Sequence, residues 1–182
     1  GDKWTNIKEL PFNSDFYSAG HPALNEEENK LFFISDMPGG KGGTDIWMST
    51  KNGEEWSKPE NLGDVINTQG NEMFPYYHTD GSLYFSSDAH HSMGGLDVFI
   101  SSIVDNKWLE PENLNYPLNS SKDDFGFVLS QDNKTGYVSS SRTTNGDALY
   151  EFVKHPPKFN TYGLVTSKLT QKPLARGKCS VK

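Results

Sequence analysis

Cysteine is almost missing from this chain: Cys179 is the single thiol in 182 residues, so no disulfide can form within it and cysteine usage does not mark a redox compartment. No run approaches the roughly eighteen apolar residues of a membrane-crossing helix. A helical hydrophobic period is absent throughout. Residues 154–182 contain no Asp or Glu, although they carry 7 Lys/Arg; all 24 acidic residues lie in 1–153, against 10 Lys/Arg. An acidic body with a basic tail follows. Such a body repels nucleic acid, whose affinity comes mainly from phosphate neutralisation, so no nucleic-acid partner is expected. The tail fits anion binding and the solvated start of another domain equally well. Hydrophobic residues are only 34%, yet 13% of the chain is aromatic, and large rings bury enough area per side chain to favour a folded protein over a disordered one. The length suits one domain plus an appendage.

Glycine is concentrated in GGKGGTDIW (39–47), which has the look of an anion-binding loop. Lys41 is followed by Gly42 and Gly43 rather than Ser or Thr, and the apolar run after it reads as a strand, so the phosphate-loop pattern fails. A second copy, SMGGLDVF (92–99), lacks both the lysine and the threonine. The copies belong to a repeat: Trp4, Trp56 and Trp108 stand 52 residues apart, WSKPENL (56–62) matches WLEPENL (108–114), and Gly20, Glu72 and Asp124 keep the same step. Repeats of this length built from short strands predict an all-β fold of propeller blades, each a four-stranded antiparallel sheet.

The second copy sets out one blade: EMFPYYH (72–78) as inner strand, a Thr79-Asp80-Gly81 turn, SLYFSSD (82–88), then LDVFISSI (96–103), and KWLEPENL (107–114) as outer strand with Pro111 suited to an edge. The expected organisation is blades over 1–155, namely the outer strand of a preceding blade at 3–10 and blades at 16–62, 72–114 and 124–153, followed by a linker and further strands at 156–182. About three blades are too few for a ring. The chain is therefore expected to be part of a larger propeller of roughly six blades, or to assemble with a second copy or a separate partner; a strand at 3–10 completing the third blade is a further option.

HPALNEEENKLFFISDMPGGKGGTDIW, WSKPENLGDVINTQGNEMFPYYHTDGSLYFSSD, GGLDVF and NSSKDDFGF, in that order over about 16–153, resemble the WD40-like, TolB-type propeller repeats of Bacteroidetes OmpA-family envelope lipoproteins. FNTYGLVTSKLTQKPLARGKCSV (159–181) resembles the opening of a carboxypeptidase-regulatory-like β-domain. The resemblance implies a periplasmic module tethered at the outer membrane. It would reach peptidoglycan only through a domain outside this chain, and some relatives belong to type IX secretion and gliding machinery. It implies unidentified envelope proteins as partners.

Among residues that could carry chemistry, Asp45 and Asp97 follow the pairs Gly42-Gly43 and Gly94-Gly95, where an Asp accepts turn N–H groups and fixes strand entry. Glu72 and Asp124 start inner strands, and acids there could gather calcium or form a hydrated rim. No other cofactor is expected. His90 and His91 are neighbours that point opposite ways and chelate poorly; both read as surface loop residues, and His21 and His78 as packed or capping groups. Serine clusters at 86–87, 101–102 and 139–141 recur at matching strand positions outside any G-x-S-x-G pattern, which argues for structure rather than for a nucleophile. No enzyme is expected. The functional expectation is a protein-interaction scaffold, with glycan or other envelope-ligand binding through Tyr76, Tyr77 or Tyr116 as the alternative.

Overall fold

The computed structural model describes residues 2–143 and 146–155. Thirteen strands form three antiparallel sheets. The first contains β1 (Ala19–Leu24), β2 (Lys30–Ser35) and β3 (Asp45–Asn52), with β4 (Glu55–Trp56) and β5 (Glu60–Asn61) both on the far edge of β3. The second repeats this with β6 (Glu72–Tyr77), β7 (Ser82–Ser87), β8 (Asp97–Val104), β9 (Lys107–Trp108) and β10 (Glu112–Asn113). The third has β11 (Asp124–Leu129), β12 (Thr135–Ser140) and β13 (Ala148–Val153) alone.

Local chemistry sets the hairpins. Between β1 and β2, Asn25 turns its side-chain oxygen onto the N–H groups of Asn29 and Lys30, replacing ladder partners with an Asx-type turn. Between β6 and β7 the Gly81 N–H donates to the His78 carbonyl at 3.0 Å, with Gly81 in the left-handed region. The middle strands β2 and β7 are buried on both faces, with Leu31 to Ile34 and Leu83 to Phe85 as their apolar centres, as strands sandwiched between neighbouring layers must be.

The sheets pack face to face. Phe32, Ile34 and Ile46 of the first meet Leu83, Phe85 and Phe99 of the second. On the opposite face of the second, Tyr84 and Val98 meet Phe127, Leu129 and Val138 of the third. The outer face of the first sheet, with Leu31, Phe33 and Trp47, is covered by Leu10, Phe12 and Tyr17 from the N-terminal segment. Phe12 stacks on Phe33 at 4.9 Å between ring centroids.

This architecture corrects the expected propeller. The sheets have five, five and three strands, none curls or closes, and the three lie in an open, sandwich-like stack. In the first and second sheets the outer strand is broken in two, because Pro59 and Pro111 remove a ladder donor between the Trp-bearing piece and the Glu-Asn piece. Residues 3–10, expected as an outer strand, form no strand. The register also moves one alignment: Ser35, Ser87 and Ser140 pair with Ala19, Glu72 and Asp124, so Ala19 rather than Gly20 holds the place of the two acids. The expected β-domain, the basic tail after His155 and Cys179 lie outside the described residues.

Candidate functional site

Most of the repeated polar residues bond within their own repeat or at the entry of the next sheet, while Asp97 Oδ1 and Ser86 Oγ are buried without a partner. Asp45 accepts the backbone N–H of Lys41 and of Gly42 and the side-chain amide of Asn61, the last two at 3.1 and 2.8 Å. Asp97 accepts the Met93 N–H and, at 2.9 Å, the Asn113 amide. Between these strands and the next sheet, the buried Asn67 and Asn119 act as strand fragments. Asn67 accepts the Ile46 N–H at 2.8 Å and donates to the Ile46 carbonyl at 3.0 Å; Asn119 does the same to Val98 at 2.9 and 2.8 Å.

The double-glycine loops then lie against the entry of the following sheet. A Cβ on Gly42 would run into the carbonyls of Gly70 and Thr68, and one on Gly94 into Lys122 backbone. Close backbone approach, rather than positive φ, is what these glycines supply. The loops end in matching bonds: the Glu72 N–H donates to the Thr44 carbonyl at 2.7 Å, and the Asp124 N–H to the Leu96 carbonyl at 2.6 Å. Lys41, the residue that suggested a phosphate, pairs with Asp64 at 3.3 Å on the surface.

Glu72 and Asp124, the candidate calcium ligands, are fully buried with protein donors around them. Glu72 accepts from the Thr68 N–H and hydroxyl and from the Ser87 hydroxyl, at 2.9, 2.6 and 2.8 Å. Asp124 accepts the Ser120 N–H and hydroxyl at 2.6 and 2.8 Å. Its side chain is one methylene shorter than Glu72, and the Arg142 guanidinium reaches its second oxygen at 2.6 Å while stacking over Tyr150. Arg142 was not singled out by sequence; the only signal for it was the Asp in place of Glu. Among the described residues no group of three or more His, Cys, Asp or Glu is placed to hold a metal ion.

The histidines separate. His91 is exposed, whereas His90 turns inward against Phe99 and bonds the Ile66 carbonyl at 2.9 Å, so it is not the surface residue expected. His78 is buried, with Nε2 3.2 Å from the Ser130 carbonyl and Nδ1 near both the Asp80 backbone N, at 3.3 Å, and the Asp80 carboxylate, at 3.1 Å. Partial burial would raise the Asp80 pKa, but the Ser82 N–H and His78 outweigh it and hold the carboxyl below its usual range. The serines form no catalytic set: Ser87 serves Glu72, Ser101 donates to the Leu109 carbonyl, and Ser140 accepts from Arg142.

Among the described residues, β1, β6 and β11 each pair on one edge only, with β2, β7 and β12, and each carries a bulge at the same place. The bulges put His21, Phe74 and Gly126 in the left-handed region, at φ 48°, 52° and 63°. For a bulky residue this costs backbone strain, which persists only where the surroundings hold it. Here rings hold it: His21 stacks on Phe74 at 4.1 Å, Phe74 stacks on Phe125 at 5.1 Å, and the Phe74 N–H donates to His21 Nδ1 at 3.2 Å. All three rings are half-buried, and burial lowers the His21 pKa. Of the tyrosines, Tyr76 bonds the Leu129 carbonyl at 2.7 Å and Tyr77 stacks on Phe32 at 4.8 Å, leaving Tyr116 exposed.

No protein-family model matches this chain, and no curated protein does. Among solved structures it is similar to a Mycobacterium tuberculosis puromycin-hydrolyzing peptidase, with 17% identity, 82% of this chain covered and a TM-score of 0.50. The chain spans 22% of that protein's length. At this identity the likeness concerns the fold alone.

Proposed function

We propose that this chain is a non-enzymatic protein-interaction scaffold of the bacterial envelope, placed in the periplasm at the outer membrane as the repeat resemblance implies. The observation that supports an interaction role is the aromatic row His21–Phe74–Phe125 on three neighbouring strands that pair on one edge only among the described residues, with His21 and Phe74 held at positive φ. Half-buried rings on strands that pair along one edge only among the described residues suit an extended protein segment, which takes main-chain bonds from an edge and side-chain contacts from the rings. The turn acids Asp45 and Asp97 and the amides Asn67 and Asn119 support the non-enzymatic part, since they make matching bonds in both copies and catalysis needs one unique constellation. Glycan binding keeps only Tyr116 of its three aromatic candidates.

Photo-crosslinking in cells tests the scaffold role. A photoreactive residue at Phe125 is expected to give a discrete protein adduct that is absent when it stands at His91 and lost on Phe74→Gly, which removes the ring and relieves φ. Equal adducts at both positions, or none at Phe125, overturn the reading.

A further inference from the structure

Between the second and third sheets lies a cleft of about 790 Å³, lined by Tyr84, Ile100, Leu118, Phe127 and Phe152, with Lys154 and His155 at its mouth. The interface between the first and second sheets shows what fills the same place there. Trp108, on β9, turns onto that interface and meets Phe32 edge-on at 6.5 Å. The registers make Tyr84 the counterpart of Phe32, and Lys154 the counterpart of Lys51 and Ile103, the residues that pair with Trp56 and Trp108. Among the described residues β13 pairs only with β12, so the third sheet has neither the tryptophan nor its strand.

A segment of the right kind stands unused. Trp4 keeps the 52-residue step with Trp56 and Trp108, and Leu10 falls where Leu62 and Leu114 stand. Trp4 is 98% exposed and Ile7 94% exposed. The chain cannot easily serve itself: Leu10 is packed on the outer face of the first sheet, at the other end of the stack. Two sheet spacings come to about 20 Å, and the six residues from Leu10 back to Trp4 span at most about 20 Å when fully extended, leaving none to pair.

We infer that the N-terminal segment, residues 3–10 of a second copy, adds as an outer strand to the free edge of β13, with Trp4 opposite Lys154 and its indole in the cleft against Tyr84. The contact is heterologous, since each copy gives its N-terminal segment at one end and receives its neighbour's at the other. It also sets the exposed face of the third sheet, with Val128, Tyr137, Leu149 and Val153, close to the neighbour. The inference is independent of the envelope reading.

Two variants of the full chain test it in a Cys179→Ser background. Lys3→Cys in one chain and His155→Cys in another should form a mixed disulfide on oxidation, because the counterpart pair Glu55 and Asn52 are direct strand partners. Light scattering should show an oligomer whose association weakens at least tenfold on Trp4→Ala and recovers in part on Trp4→Phe. Trp4 is exposed in the single chain, so these variants should fold as the parent does. A monomeric parent, unchanged association of Trp4→Ala, or a Lys3→Cys/His155→Cys double variant that closes within one chain would each overturn the second copy as occupant. Filling of the cleft by residues 156–182 would appear as failure of the mixed disulfide and overturn it too.

Discussion

Asn67→Asp is isosteric, yet it should be among the most damaging changes in the chain. Asn67 is fully buried, and its amide nitrogen donates to the Ile46 carbonyl at 3.0 Å and to Asn61 Oδ1 at 2.9 Å. A carboxylate there keeps the Ile46 N–H on one oxygen and turns the other, without a hydrogen, onto two acceptors. The folded state escapes only by holding the carboxyl protonated. From an ordinary Asp value near 3.9, that costs about 4 kcal/mol at pH 7. A folded pKa raised above the unfolded one gives stability that is present below about pH 4 and lost as pH rises. One of the two acceptors still lacks a donor at any pH, adding about 1 kcal/mol, so the deficit against the parent should shrink from about 5 kcal/mol at pH 7 to about 1.5 at pH 4. Asn67→Ala should cost roughly 2–4 kcal/mol through the stranded Ile46 groups, with no such pH dependence. Urea unfolding followed by tryptophan fluorescence, with parent and variants compared at each pH, measures this. A cost below about 1 kcal/mol at pH 7, or a cost flat with pH, would refute the assignment of Asn67 as a surrogate strand.

Arg142→Ala removes the cation from the fully buried Asp124 and should cost about 3 kcal/mol in chemical denaturation, with Asp124→Asn in the same chain recovering part of it. Gly42→Ala drives a methyl into the Gly70 and Thr68 carbonyls and should cost roughly 1–3 kcal/mol, whereas Gly53→Ala, where nothing stands within 4 Å, should cost less despite its φ of 65°. Burial in the sheet interface pushes the Tyr84 phenol up to about 12 from 10.0. Its contribution should hold below about pH 10 and fall away between about pH 10 and 12, and Tyr84→Phe should flatten that limb; an unchanged alkaline limb in the variant would remove Tyr84 as its cause.

The strands of the second sheet were legible because their composition alternates with clear turn signals: Thr79-Asp80-Gly81 falls between β6 and β7, and Asp105-Asn106 between β8 and β9. Asp45 and Asp97 were legible as turn acceptors for the same local reason. Sheet number and closure were not, since they depend on how whole layers meet. The repeat at 52 residues announced equivalent units but said nothing about whether they close. Pro111 was read as suiting an edge strand, and in the structure it splits one, as Pro59 does in the first sheet. Partnering across the chain was also hidden. Glu72 and Asp124 look like free acids until the donors of Thr68, Ser87, Ser120 and Arg142 are brought onto them. The row of His21, Phe74 and Phe125 escaped notice because a shift of one residue in the first copy, seen only in the bulge register, aligns His21 with Phe74.

The carbonyls of Thr44 and Leu96 each receive the first N–H of the sheet that follows, so coupling along the stack has a direction. A lesion in a double-glycine loop leaves its own hairpin intact and loosens the entry of its successor; among the described residues the third sheet is followed by no further layer. In a chain of nearest-neighbour units, this makes the first loop the place where a small defect travels furthest. Synthesis from the N-terminus would lay down each template before the strand that reads it.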